Sequence, residues 1–496
     1  MVHPRIGSQA EMPTTRPDPP FTTANVRADD PRVRAWNARP VRKDGDHVVY
    51  WCQATRRADD NVALEHAVAR ANELGLPVVV YEALRADYPY ASDRLHTFVL
   101  ECARDSAAAL ARRGIPHGFF LPTTAEQARG VAGRVFARAA LVVSDDHPSF
   151  LHPAQNAAAA ARAPCAYVTV DDAAVVPLST IVAHEPQART IRPKLLRALD
   201  EWLQPVKAIA PKIAPAKVDW PFTPIDLAQA DLAALVAECA IDHSVRPVDD
   251  RRGGAREARR RLTAFLRAAG KRYDVGRDEV PSDGTSGLSA YLHFGAISAR
   301  ACLLAARDAG LPAAAHEAFV EQLLVRRGLA FNHAARSPEH ARWQGVPEWA
   351  RRTLESHRSD PRPDARPLDA LERAASGDPI WDAAQRDLLT RGRMHNVLRM
   401  YWGKSLLTKI ADPAEAFAFG ARMFDRYALD GRDPNTYTGV GWCFGLHDRP
   451  FPERPIFGTV RPMGAGALKR RFDLREWLRV REKDTDVASQ PSLFGD

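Results

Sequence analysis

The residues richest in chemistry lie late in the chain, in Met394-His395-Asn396-Val397-Leu398-Arg399-Met400-Tyr401-Trp402 and in Asp430-Gly431-Arg432-Asp433-Pro434-Asn435. An arginine, a methionine and a tryptophan close together on a helical stretch, followed by a turn with two acids, suit an oxidised flavin held beside an electron-donating indole. Upstream, Gly284 and Gly287 sit among the hydroxyls of Thr285, Ser286 and Ser289, ahead of a helix-like segment. Consecutive amides of this kind are what a diphosphate needs from a neutral cradle. The same composition also makes an ordinary turn. Between Glu321 and Arg327, Gln322 and paired arginines stand beside apolar residues on a helix, a pattern shared with any surface helix. The six cysteines are scattered, with no CxxC pair and no Cys/His cluster at zinc spacing. No metal site is expected, and the thiols read as reduced core residues.

These groups need a frame. Residues 1–30 are rich in Pro, Thr and Asp and poor in aromatics, the composition of a disordered tail. Short β-rich runs at His47–Trp51, Pro77–Tyr81, His117–Leu121, Leu141–Asp145 and Tyr167–Asp171 then alternate with helical patterns. Continuous apolar strands between amphipathic helices predict a doubly wound parallel α/β sheet over 31–203. Five prolines (Pro205, Pro211, Pro215, Pro221 and Pro224) mark 204–224 as an interdomain linker. From 225 to 480 the chain reads as almost wholly helical, with helical spacing in 255–270, 297–308, 314–333, 381–409 and 412–428. Residues 481–496 read as a flexible tail. Nowhere do eighteen apolar residues run together and no secretory apolar region opens the chain, so a cytoplasmic, membrane-free protein is expected. A net charge of +8 and a pI of about 9.3 favour a polyanionic partner without identifying one.

With Tyr291-Leu292-His293-Phe294-Gly295, the loop and the two late segments resemble the FAD domain of the class II cyclobutane-pyrimidine-dimer photolyases, in the photolyase/cryptochrome family. The match in type and order runs from about Pro31 to Leu474, as in a divergent bacterial member. The resemblance implies FAD held by Tyr273, Thr285, Ser286, Gly287, Leu288, Ser289, Arg327, Arg399, Asp430, Gly431 and Asp433, with Asn396, Met400 and Trp442 facing a flipped-out DNA lesion. It makes Trp402 and Trp381 the inner electron-transfer tryptophans. It also implies an antenna domain, through Arg56-Arg57-Ala58-Asp59-Asp60-Asn61 and Ala188-Arg189-Thr190-Ile191-Arg192-Pro193-Lys194, with the pigment left open.

Four departures from the family pattern bear on function. Gln322 stands where a glutamate touches the damaged bases; an amide can hydrogen-bond a base edge but supplies neither proton nor charge. Phe424 stands where an asparagine faces flavin N5, and a phenyl ring cannot hydrogen-bond there unless Asn435 serves instead. Lys409 and Arg366 occupy the places of an outer tryptophan and tyrosine, which shortens the electron relay. The activity implied is light-driven repair of cyclobutane pyrimidine dimers by a monomer acting on damaged DNA. The alternative is a cryptochrome-like photoreceptor without repair activity, favoured by Gln322, Phe424 and the short relay. Met400, Trp442 and the C-terminus favour repair. There, Gln490, Leu493 and Phe494 resemble the peptide by which bacterial repair proteins dock on the replication sliding clamp.

Overall fold

The computed structural model describes residues 30–214, 217–470 and 472–485. The N-terminal part is built on six strands: β1 (Val33–Ala35), β2 (His47–Cys52), β3 (Val78–Ala83), β4 (His117–Phe120), β5 (Ala139–Asp145) and β6 (Ala166–Val170). They lie in the order β1-β6-β5-β2-β3-β4. All neighbours are parallel except β1, which runs antiparallel to β6. The five expected strands are present, with ends displaced by at most two residues. β1 escaped the sequence reading because three residues are too few to show a period. The strands are apolar on both sides because both faces are covered. Val48, Tyr50, Val80 and Val143 pack beneath the Val62–Leu74 helix, while Val49, Tyr81 and Val142 pack against the Val131–Phe136 and His152–Arg162 helices. Each such side chain contributes about 1.5–3 kcal/mol of burial.

β2 lies between β3 and β5, so the chain winds outward in both directions from it and opens a crevice at the strand ends. Asp145 closes β5 there. Its carboxylate accepts the backbone amides of Gln53, Ala54 and Thr55 at 2.8, 2.7 and 3.1 Å, which fixes the loop leaving β2.

Within 204–224 the described residues form no helix or strand. They lie along the sheet part, with Phe222 on Phe120 at 4.8 Å between ring centroids. The chain then becomes helical, and two features depart from a simple helical reading. The 381–409 stretch is two helices, Pro379–Arg391 and Asn396–Lys409. Gly392, at φ +60°, closes the first, a conformation that disfavours any residue with a Cβ, and His395 caps the second. The 314–333 stretch stays continuous but passes through a π-helical segment, Glu321–Arg326, between the Ala313–Val320 and Arg327–Arg336 helices.

The two parts are joined by buried charge. Arg57 pairs with Asp172 and donates to the Gly295 carbonyl at 2.9 Å, and Arg300 reaches Asp172 at 3.1 Å. Arg94 donates to the Tyr427 and Leu389 carbonyls at 2.6 and 2.7 Å. The segment Arg56 to Asn61 is thus largely interface: Asp60 accepts from Arg300 at 3.0 Å, and Asn61 caps the Val62–Leu74 helix. Among the described residues no helix is long and apolar enough to cross a membrane.

Candidate active site

A cavity of about 310 Å3 opens in the helical part. One wall is the loop Thr285 to Ser289, anchored at both ends. Asp283 accepts from Thr285 Oγ1 at 2.7 Å and pairs with Arg393 at 2.5 Å, and Arg251 donates to the Gly287 carbonyl at 2.7 Å. The opposite wall is the start of the Asn396–Lys409 helix, with Asn396, Arg399, Met400 and Trp402. Gln322 reaches the cavity from the π segment, and Phe424 from the Pro413–Tyr427 helix.

Arg399 and Asp430 meet across the cavity, with Arg399 Nη2 2.8 and 2.9 Å from the two carboxylate oxygens. Burial alone would raise the Asp430 pKa, but the Arg399 charge and hydrogen bonds from Arg399 and Ser289 outweigh it and hold the carboxyl below its ordinary value. Arg399 also donates to the Met394 carbonyl at 2.8 Å and lies 4.8 Å from the centre of the Phe424 ring. Its head group is therefore held from three sides.

Trp402 lines the cavity and stacks on Trp381 behind it, with centroids 5.3 Å apart and planes 14° from parallel. The two indoles are locked by their own N–H groups. Trp402 Nε1 donates to Gln385 at 3.0 Å, and Trp381 Nε1 donates to the Trp402 carbonyl at 3.1 Å. Phe424 stands edge-on to Trp402 at 5.4 Å. Lys409 places its ammonium 5.8 Å from the Trp381 ring centre.

Several expected residues lie elsewhere. Tyr273 is buried against Phe265 and Phe319 in the neighbouring core, where ring packing claims its surface. Arg327 points toward the sheet part, donating to the Ala173 carbonyl at 3.2 Å and standing 4.0 Å from Asp433. Asp433 caps the Pro434–Cys443 helix; burial opposes its ionisation, but His293 and Arg327 hold its carboxyl well below the ordinary range. Gly431 serves packing, since a Cβ there would meet the Phe424 carbonyl oxygen at 2.2 Å. Trp442 faces Arg326, 5.2 Å from its ring. Gln490, Leu493 and Phe494 lie outside the described residues.

The cavity also holds residues to which the sequence reading gave no role in the site: Arg251, Arg393 and His395. His395 Nδ1 accepts the Val397 amide at 3.3 Å, which leaves the ring proton on Nε2. Burial lowers the His395 pKa and keeps the ring neutral. Both His395 Nε2 and Arg251 Nε are buried with no hydrogen-bond partner among the described residues. Buried orphan donors of this kind call for an acceptor. With the loop hydroxyls, the Arg399–Asp430 pair and an indole wall, they fit a nucleotide-bearing redox cofactor such as FAD.

A second cavity, about 520 Å3, lies at the crevice where β2 and β3 end. Trp51, Tyr81, Phe120 and Phe136 wall it from the sheet part, and His293, Phe294 and Arg432 from the helical part.

Comparison with known proteins agrees with this geometry. Residues 48–212 match the DNA photolyase family, and residues 319–469 match the FAD binding domain of DNA photolyase. The chain is 35% identical over 460 residues to a deoxyribodipyrimidine photo-lyase of Methanothermobacter thermautotrophicus, covering 91% of this chain and 98% of that protein. It is likewise 35% identical over 459 residues to one of Oryza sativa subsp. japonica, covering 88% and 87%. The crystal structure of a bacterial class III photolyase from Agrobacterium tumefaciens superposes with a TM-score of 0.68 over 89% of this chain and 87% of that one, at 20% identity, which shows the shared fold. With a parallel sheet leading into a helical FAD-binding domain, and relatives matched along most of their length, the chain belongs to the DNA photolyase family.

Proposed function

We propose that this protein is a class II photolyase that splits cyclobutane pyrimidine dimers in DNA under light. One observation carries the reading: Trp402, the Arg399–Asp430 pair, Asn396, Met400 and Gln322 all line a single cavity. Bound FAD in its reduced form, excited by light, supplies the electron that opens the cyclobutane ring. The loop Thr285 to Ser289, with Arg251 and His395, would hold the cofactor's diphosphate and polar edge through hydroxyls and the two orphan donors. Asp430 and Arg399 fix each other's position beside it. Met400 offers polarisable apolar surface to a flipped lesion, and Asn396 and Gln322 offer amides to its base edges. Trp402, backed by Trp381, faces the cavity as an electron donor. On this reading residues 31–203 form an antenna-type domain, 225–480 form the catalytic domain, and the second cavity receives the antenna pigment.

Phe424 on the cavity wall favours the other reading, a photoreceptor that keeps the flavin without repairing DNA. The test is repair of dimer-containing oligonucleotides under blue light by chemically reduced protein. Restored bases support the photolyase. A flavin-loaded, photoreducible protein that leaves every dimer intact supports the photoreceptor.

A further inference from the structure

The stacked indoles end beside an arrangement that no part of the proposed repair chemistry uses. Trp381 lies next to Asp378, which caps its helix: Asp378 Oδ1 accepts the amides of Ile380 and Trp381 at 3.0 and 3.2 Å. The other oxygen, Oδ2, accepts the hydroxyl of Tyr401 at 2.5 Å. Tyr401 is the helix neighbour of Trp402, so the indole pair and the phenol–carboxylate pair bridge the same two helices side by side. Tyr401 is buried, whereas Asp378 is partly exposed and reaches water. Burial first, and Asp378 second, raise the Tyr401 pKa, so the resting phenol keeps its proton.

The cation over the far indole gives this placement a consequence. When Trp402 gives up an electron and refills from Trp381, a positive charge develops on an indole whose centre is 5.8 Å from the buried Lys409 ammonium. Like charges this close in a buried setting repel strongly, so Trp381 is a poor place for the hole to rest. A phenol that loses an electron and a proton together ends neutral and escapes that repulsion. We propose that Tyr401, with Asp378 as its proton acceptor, is the terminal electron donor of this relay. One electron passes from Tyr401 to the oxidised Trp381, which returns to a neutral closed-shell indole. The phenolic O–H bond breaks, its proton forms an O–H bond at Asp378 Oδ2, and Tyr401 is left as a neutral phenoxyl radical. The electron acceptor that starts the sequence is oxidised FAD, so the inference rests on the flavin reading of the cavity. An external thiol would then re-reduce Tyr401.

The test is laser-flash spectroscopy of the oxidised, FAD-loaded protein, with transient absorption and electron paramagnetic resonance as readouts. A neutral tyrosyl radical should follow the indole radical, and its rise should slow in heavy water because a proton moves with the electron. Tyr401→Phe should remove the tyrosyl signal, keep the indole signal, and shorten the lifetime of separated charge on the order of tenfold. Asp378→Asn keeps a helix-capping oxygen but not the proton acceptor. It should lower the tyrosyl yield and abolish the isotope effect. An indole signal with no tyrosyl radical in the parent protein, or an undiminished tyrosyl radical in Tyr401→Phe, overturns the proposal and leaves the flavin reading standing. A flash that produces no indole signal overturns the proposal together with the donor role of Trp402, and a protein that takes up no FAD overturns the flavin reading itself.

Discussion

Replacing Asp430 with alanine is the sharpest probe of the cavity. The carboxylate is buried and both its oxygens lie within 2.9 Å of Arg399 Nη2. Removing one partner of a buried ion pair costs about 3–5 kcal/mol, because the remaining charge stays desolvated. Here the loss is smaller. The Arg399 side chain is 21% exposed and keeps its bond to the Met394 carbonyl at 2.8 Å, so about 2–3 kcal/mol is expected. If about 2 kcal/mol of that falls on the cofactor site, the FAD Kd rises roughly 30-fold. Asp430→Ala should emerge from purification with little flavin, and Asp430→Asn, which keeps an acceptor without the charge, should lie between it and the parent. The assay is the flavin-to-protein absorbance ratio, followed by FAD titration monitored through flavin fluorescence. The sign of the pH dependence follows from the lowered carboxyl pKa. The stabilisation from Asp430 is complete above its ordinary value of 3.8 and disappears as pH falls through the lower folded value. Flavin retention should therefore stay flat from neutral pH to about 4 and drop only below it, whereas Asp430→Ala should lack that acid limb. A folded Asp430→Ala protein with full flavin occupancy and an unchanged Kd would refute the assignment of the pocket.

Trp402→Phe keeps an aromatic face toward Trp381 but is far harder to oxidise, so light-driven reduction of the bound flavin should vanish. Bleaching of the oxidised flavin band at the parent rate would show that electrons enter by another route. Phe424→Asn supplies an amide on the cavity wall and should lengthen the lifetime of reduced flavin in air several-fold, read from the reoxidation rate. An unmoved rate would mean that residue 424 does not face N5. A peptide ending in Gln490 to Asp496 should bind the bacterial sliding clamp with a Kd on the order of micromolar, because a short flexible segment loses entropy on ordering. No binding at high micromolar peptide would end that idea, and deleting these residues should leave flavin content untouched.

What was legible in the sequence depended on how local its cause was. Strands β2 to β6 are apolar because the sheet is covered on both faces, and that leaves a run any reader can see. The loop Thr285 to Ser289 and the Arg399–Asp430 pair were legible only through the family resemblance, since their residue types alone also suit an ordinary turn and a structural ion pair; in the fold they line one cavity. The break at Gly392 was not, because Leu and Arg on both sides carry helical spacing straight through a single glycine. It matters more than its length implies, since the break carries Arg393 and His395 to the cavity wall. Arg327 illustrates the opposite error. Its position on the helix is as expected, but a guanidinium can turn either way, and the Ala173 carbonyl and Asp433 draw it toward the sheet part. Periodicity gives a residue's place along a helix, whereas tertiary partners decide where a long polar side chain ends.

The turn Asp430 to Asp433 shows how tightly the two cavities are linked. Asp430 lines the first, and Arg432, two residues on, lines the second. Arg432 sits at φ +63°, a conformation that costs a residue with a side chain about 1–3 kcal/mol and persists only where the surroundings enforce it. They do so here. Its amide donates to Asp425 at 2.9 Å, and Gly431 lies so close to the Phe424 carbonyl that no Cβ would fit between them. The turn is thus pressed onto the helix that carries Phe424, and Asp433 ties its far end to His293, which also lines the second cavity. A ligand in the second cavity therefore rests on the same rigid piece of backbone that presents Asp430 to the first. That ligand would meet this turn from the helical part and Trp51, Tyr81, Phe120 and Phe136 from the sheet part, so its distance from Asp430 is set by the turn together with the buried ion pairs that lock the two parts.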